Sequence, residues 1–170
     1  MSIDIYLGDI LQSSADVIVF SAHPSLLSGS GVSGVIHKAA GKELEQAAKV
    51  FAPINPGEAI ITPAFNLSAK YVIHAVCPRY IYGTDNEEEL LARAYSSALA
   101  LYDKTDNADS IAFISMGTGV YQCPLEKAAE IAVNALVKSK FKETIVCVVD
   151  EETKDIYQRA YESCSKTLDT

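Results

Sequence analysis

Residues 28–41 read Ser28-Gly29-Ser30-Gly31-Val32-Ser33-Gly34-Val35-Ile36-His37-Lys38-Ala39-Ala40-Gly41, and they follow closely on the apolar run Asp16-Val17-Ile18-Val19-Phe20. Three glycines within positions 29–34 lead into a helix-like run of Val, Ile, Ala and Lys. Glycine lets a backbone approach a ligand closely, and a helix N-terminus presents unpaired N–H groups to an anion. A strand, a glycine-rich loop and a helix start, in that order, describe a phosphate cradle. A merely flexible connection would use the same glycines, so the loop taken alone leaves both readings open.

Outward from this stretch the chain alternates two periodicities. Ser2 to Leu7 alternates apolar and polar residues, as a strand does, and Asp16 to Ser21 is continuously apolar, as suits a strand covered on both faces. Val32 to about Phe51 reads as one helix, with Val35, Ile36, Ala39, Ala40 and Leu44 on one side, ended by Pro53 and Pro56-Gly57. Ala59–Thr62 and Tyr71–Val76 read as strands joined through Asn66-Leu67-Ser68. Asp85 and Glu88 have the spacing of a capping box, opening a helix with Leu90, Leu91, Ala94, Ala98, Leu101 and Tyr102 on one face.

Ser110–Ser115 is a strand, and Met116 to Tyr121 contains a second glycine loop, Gly117-Thr118-Gly119-Val120-Tyr121. Pro124 fits the first turn of the next helix, which runs to about Lys138. Thr144–Val149 is the last strand, and Asp150 caps a final helix reaching about Ser165. Strands alternating with helices predict an α/β domain of three layers, α/β/α, and no linker or repeat divides residues 1–170. In such folds ligands collect at the carboxyl ends of the strands. Both glycine loops follow a strand and precede a helix, so they are expected to share one phosphate site.

Composition narrows the partners. The chain has 170 residues, 49% of them hydrophobic and 21% charged, which is enough for a core. The net charge is −8, and no basic run is present to neutralise a polyanion, so nucleic acid is not an expected partner. Any phosphate bound here must rely on backbone amides and a helix dipole, which suits a small ligand in a pocket. No apolar run approaches the ~20 residues that span a membrane. Cys77, Cys123, Cys147 and Cys164 are scattered, with no C-x-x-C pair, and no two of His23, His37 and His74 have metal-ligand spacing. Neither a metal nor a cofactor is expected. Reduced thiols and the absence of a basic, apolar leader at Met1–Ile5 point to the cytoplasm.

Four groups of residues together resemble the macro domain, an ADP-ribose-binding family. They are Gly8-Asp9-Ile10; Asp16–Val19 with Pro24-Ser25-Leu26 and Gly31–Gly41; Pro56–Pro63 with Lys70–His74; and Thr118–Tyr121 with Pro124. The chain is similar to bacterial O-acetyl-ADP-ribose deacetylases of that family. The resemblance implies a central mixed sheet of about six strands flanked by helices. It also implies a pocket for ADP-ribose or a derivative, free or carried on an ADP-ribosylated protein. Asp9, beside Ile10, would accept a hydrogen bond from the adenine amino group. Ala22, Gly29, Ser30, Gly31 and Val32 would line the diphosphate and distal ribose, with Gly117, Thr118, Gly119, Val120 and Tyr121 on the opposite side and Val149 near the adenine.

The family pattern is broken at its chemical positions. Where hydrolytic members carry Asn-Ala-Ala-Asn, this chain has Phe20-Ser21-Ala22-His23, so a histidine replaces the second asparagine. Where they carry Gly-Gly-Gly-Val-Asp-Gly, it has Gly29-Ser30-Gly31-Val32-Ser33-Gly34, so Ser33 replaces the aspartate that would position a water. The aromatic residue usual beside the adenine is Val149 here. Three readings therefore stay open: hydrolysis by a modified mechanism with His23 as general base, binding without turnover as a reader or sensor, or a pocket turned to another nucleotide-like ligand. His37, within the helix, and His74, within a strand, read as structural residues.

Overall fold

The computed structural model describes residues 3–79, 86–118 and 122–168. Six strands form one sheet: β1 (Ile3–Leu7), β2 (Val17–Ser21), β3 (Ala59–Pro63), β4 (Tyr71–Ala75), β5 (Ser110–Ile114) and β6 (Glu143–Val148). Their order is β1-β6-β5-β2-β4-β3. β3 alone is antiparallel to its neighbour, with Ala59 opposite Ala75 and Pro63 opposite Tyr71, and every other pairing is parallel. The five parallel strands therefore deliver their carboxyl ends to a single edge.

Strand alternation divides the core between two faces. On β2, Val17 and Val19 point to one side and Ile18 and Phe20 to the other, all of them almost fully buried. The Val17 side packs against α3 (Glu87–Ala100), α4 (Leu125–Leu136) and α5 (Glu151–Leu168) through Tyr95, Ala132, Leu136 and Tyr157. The Phe20 side packs against α1 (Gly31–Ala40) and α2 (Lys42–Lys49) through Ile36, Ala40, Leu44 and Ala48. Helices on both faces of one sheet make the expected three layers.

The predicted helix over 32–51 is two helices. Gly41 takes φ 99°, a conformation open to glycine, and its N–H bonds the His37 carbonyl at 3.0 Å. The periodic apolar pattern runs through this break, which is why the sequence reads as continuous. α3 begins at Glu87 after Asn86, which has φ 62°, and the Asp85 half of the expected capping box lies outside the described residues. Pro124 stands one residue before α4, as its N-cap. Asp150 caps α5 as expected, its Oδ1 accepting the Thr153 N–H at 2.7 Å, and that bond holds its carboxyl below the usual range.

A buried aromatic group joins β2, β4 and α1. The Phe20 ring lies 5.0 Å from that of His74 and 5.9 Å from that of His37, and the two imidazoles are 6.1 Å apart. The Thr62 hydroxyl donates to the Pro63 carbonyl, so it accepts from His74 Nε2 at 3.0 Å and makes His74 the neutral Nε2–H tautomer. Burial, reinforced by His37, pushes the His74 imidazole down to about 3. Burial also lowers His37, against an opposing pull from the Glu45 carboxylate.

Both histidines are therefore neutral in the folded protein and can take protons once it unfolds. Above pH ~6.5, the reference value for histidine, His74 contributes no pH dependence. Between that value and about 3 the unfolded chain binds a proton that the folded state refuses, so stability falls as pH falls. Urea unfolding followed from pH 7 to pH 5 should show the decline. At the acid end of that range His74 supplies a slope of about 1.4 kcal/mol per pH unit. His74→Phe should flatten the profile by that share, and an unchanged slope in the variant would exclude His74 as its source.

Candidate functional site

The carboxyl edge of the sheet gathers several of the sequence-predicted site residues. Asp9 follows β1, Ala22 and His23 follow β2, Ser115 to Thr118 follow β5, and Val149 follows β6. β2 and β5 are hydrogen-bonded neighbours, with Val19 opposite Phe113, so the segments that follow them leave the sheet side by side. Gly119, Val120 and Tyr121 lie outside the described residues.

Asp9 opens a 3-10 turn over Ile10–Gln12, and its Oδ1 accepts the Leu11 N–H at 2.9 Å. Its second carboxylate oxygen has no partner among the described residues. Capping the turn and meeting a ligand can thus use different oxygens of the same side chain. Ile10 is buried beneath the turn. Ala22 is buried too, and its N–H is spent on the Ala75 carbonyl at 2.7 Å, so it offers shape rather than a donor. Val149 exposes 85% of its surface and brings no aromatic face.

The signature loop carries the distinctive electrostatics. α1 begins at Gly31, which has φ 62°, and Ser30 at the N-cap makes no side-chain capping bond. The first turn of α1 contains no acidic residue. Every other α-helix begins with carboxylates: Glu43 and Glu45 in α2, Glu87 to Glu89 in α3, Glu126 in α4, Glu151 and Glu152 in α5. Negative charge at a helix start complements the macrodipole. Among the described residues, only α1 leaves that position free of acids, and like α2, α3 and α4 it has no side-chain cap on its first N–H groups.

Three contacts shape the loop, and one of them involves a residue that sequence reasoning missed. Glu45 on α2 accepts the Ser28 N–H through Oε1 at 2.8 Å, tying the loop to the neighbouring helix. In sequence Glu45 is one of two acids in α2, so nothing marks it. Ser33 Oγ accepts the Gly29 N–H at 3.3 Å, which directs that amide into the loop rather than toward a ligand. A Cβ on Gly34 would stand 2.6 Å from the Gly29 carbonyl oxygen, so glycine is required there by close approach of the backbone.

His23 starts a turn in which the Leu26 N–H bonds the His23 carbonyl at 2.8 Å. Its Nδ1 accepts the Ser25 N–H at 3.1 Å and lies 2.8 Å from Ser25 Oγ. An Nδ1 that accepts a backbone N–H carries no proton, so neutral His23 holds its proton on Nε2. The exposed imidazole is arranged as a donor at Nε2. Ser25, the second missed residue, sets this tautomer, and the His-Pro-Ser order of a turn was its available signal.

Burial keeps the thiols of Cys77 and Cys147 protonated at neutral pH. Burial pushes Cys77 up to about 11 and Cys147 up to about 12, so neither is an ionised nucleophile. Among the described residues no group of three His, Cys, Asp or Glu side chains is placed to hold a metal ion. No helix among them is long and apolar enough to cross a membrane.

Comparison with known proteins matches this arrangement. The Macro domain family model matches residues 19–132. A Cronobacter turicensis protein named O-acetyl-ADP-ribose deacetylase is 41% identical over 166 residues, covering 92% of this chain and 94% of its own. The Oceanobacillus iheyensis macrodomain with ADP superposes with a TM-score of 0.88 at 36% identity, over 96% of this chain and 91% of that one. The Trypanosoma brucei macrodomain in complex with ADP-ribose gives a TM-score of 0.81 at 30% identity, over 96% of this chain and 68% of that one.

The His23 tautomer is directly measurable. Long-range proton–nitrogen NMR at pH 8 should show Nε2 protonated and Nδ1 bare. Ser25→Ala should let the two forms mix, and a protonated Nδ1 in the unaltered protein would refute the assignment.

Proposed function

Because this chain belongs to the macro domain family, we propose that it binds ADP-ribose or a derivative at the carboxyl edge of its sheet. The observation that carries this reading is the start of α1, which has neither a side-chain cap nor an acid while α2 to α5 all begin with carboxylates. A diphosphate supplies the missing negative charge. The unpartnered oxygen of Asp9 then takes the adenine amino group, and Gly31, Val32, Gly117 and Thr118 enclose the diphosphate. His23 donates from Nε2 to the distal ribose. ADP-ribose attached to a protein presents the same groups, so a modified protein is a second form of the ligand. Three buried cysteines and one half-buried cysteine, all unpaired, support a reducing, cytoplasmic setting.

The geometry favours binding over turnover. The Nδ1 lone pair of His23 is engaged by Ser25, Nε2 bears the proton, and the Ser33 hydroxyl is engaged by Gly29. Neither side chain is arranged as a general base. Hydrolysis of an O-acetyl ester is the second reading, favoured by the 41% identity to a relative named for that activity. In that case the ligand's own diphosphate must hold the attacking water.

Calorimetry should give micromolar affinity for ADP-ribose, roughly 7–8 kcal/mol. Asp9→Ala should weaken ADP-ribose and leave ribose 5-phosphate, which lacks adenine, unchanged. No heat and no thermal shift at millimolar ADP-ribose would end the binding proposal, and equal losses for both ligands would end the adenine role of Asp9. Release of ADP-ribose from O-acetyl-ADP-ribose by the same protein would establish the second reading.

A further inference from the structure

A line of hydroxyl groups runs beneath the second glycine loop, and the binding site as described has no use for it. Tyr95 on α3 and Tyr157 on α5 are fully buried, in the core between the sheet and these helices. The Tyr95 hydroxyl accepts the Met116 N–H at 3.0 Å. The two tyrosine hydroxyls are near enough for each to influence the other's titration. Tyr157 Oη lies 2.7 Å from Ser115 Oγ, which lies 3.4 Å from Thr118 Oγ1. Thr118 Oγ1 in turn donates to the Ser115 carbonyl at 3.4 Å.

One assignment of protons satisfies the line from Tyr157 to the main chain. Tyr95 accepts from the Met116 N–H. The Tyr157 proton goes to Ser115, the Ser115 proton to Thr118, and the Thr118 proton to a main-chain carbonyl. Chains aligned in one direction strengthen each member, and in a dry core each is expensive to leave unpaired. Phenylalanine would fill the same space without burying a hydroxyl. What the two hydroxyls add is a grip on the main chain and side chains of residues 115–118. Gly117, at φ 90°, is held from another direction: a Cβ there would stand 2.9 Å from Leu91, and its carbonyl accepts the Cys123 N–H at 2.8 Å.

We infer that Tyr157 and Tyr95 are positioning residues that hold the Ser115–Thr118 segment in its diphosphate-binding conformation before the ligand arrives. The inference rests on the proposal that Gly117 and Thr118 form one wall of the diphosphate site. Neither tyrosine touches the ligand. Each acts by removing conformations the loop would otherwise have to lose on binding.

Two readouts test this, one of them independent of any ligand. Amide hydrogen exchange in the free protein should quicken at Met116–Thr118 in Tyr157→Phe and in Ser115→Ala, by roughly ten-fold more than in the central strands. Calorimetry should show roughly ten-fold weaker ADP-ribose binding in both variants, while adenosine, followed by NMR titration, binds as it does to the unaltered protein. Tyr161→Phe is the control. It removes a hydroxyl from the same helix that meets the Ile3 N–H at 3.4 Å, and it should change neither readout at the loop. If the unaltered protein fails to bind ADP-ribose, the ligand proposal falls while exchange still decides the positioning role. Unchanged exchange at residues 116–118 overturns the inference. So does a uniform rise across the sheet with equal losses for ADP-ribose and adenosine.

Discussion

Everything at the proposed site depends on β2 pairing in parallel on both sides. Val17 stands opposite Tyr71 of β4 and opposite Ile111 of β5. This strand is covered by helices on both faces, so its backbone bonds can go only to its neighbours. Parallel pairing puts the exits of β2 and β5 side by side at the same edge. β3, the one antiparallel strand, lies at the far side of β4 and does not interrupt that edge.

An acidic protein with net charge −8 can favour an anion only locally. Partial charges at the start of a helix act within the first turn, so the placement of carboxylates matters more than their number. Acids at the starts of α2 to α5 stabilise those helices, while α1 gives up that stabilisation and keeps its N–H groups available. Around this backbone the side chains are chemically quiet. Buried thiols and buried histidines are held neutral, and the exposed His23 is tied by Ser25. The start of α1 is thereby left suited to holding an anion.

Much of this was legible in the chain before folding. The six strands, the two glycine loops and the cap at Asp150 follow from periodicity and from residues whose effects reach only a few positions. The macro domain resemblance rests on the same local motifs. One element was misjudged. The helix over 32–51 breaks at Gly41, because apolar spacing reports which face is buried and says little about a single residue of positive φ. Glu45 could not be found, since its bond to Ser28 crosses 17 residues and two helices.

By itself the sequence determined the order and type of the elements, the glycines where backbone must turn or approach closely, and the substitutions at positions 23 and 33. Those properties depend on local sterics and on side-chain identity. Tertiary structure decided which polar groups remained available. It committed Nδ1 of His23 and the Ser33 hydroxyl to neighbours, left α1 uncapped, and brought Tyr157 from 42 residues away to Ser115. Hydrogen-bond capacity is limited to a few partners per group, and which partner takes it is settled only when distant segments pack together.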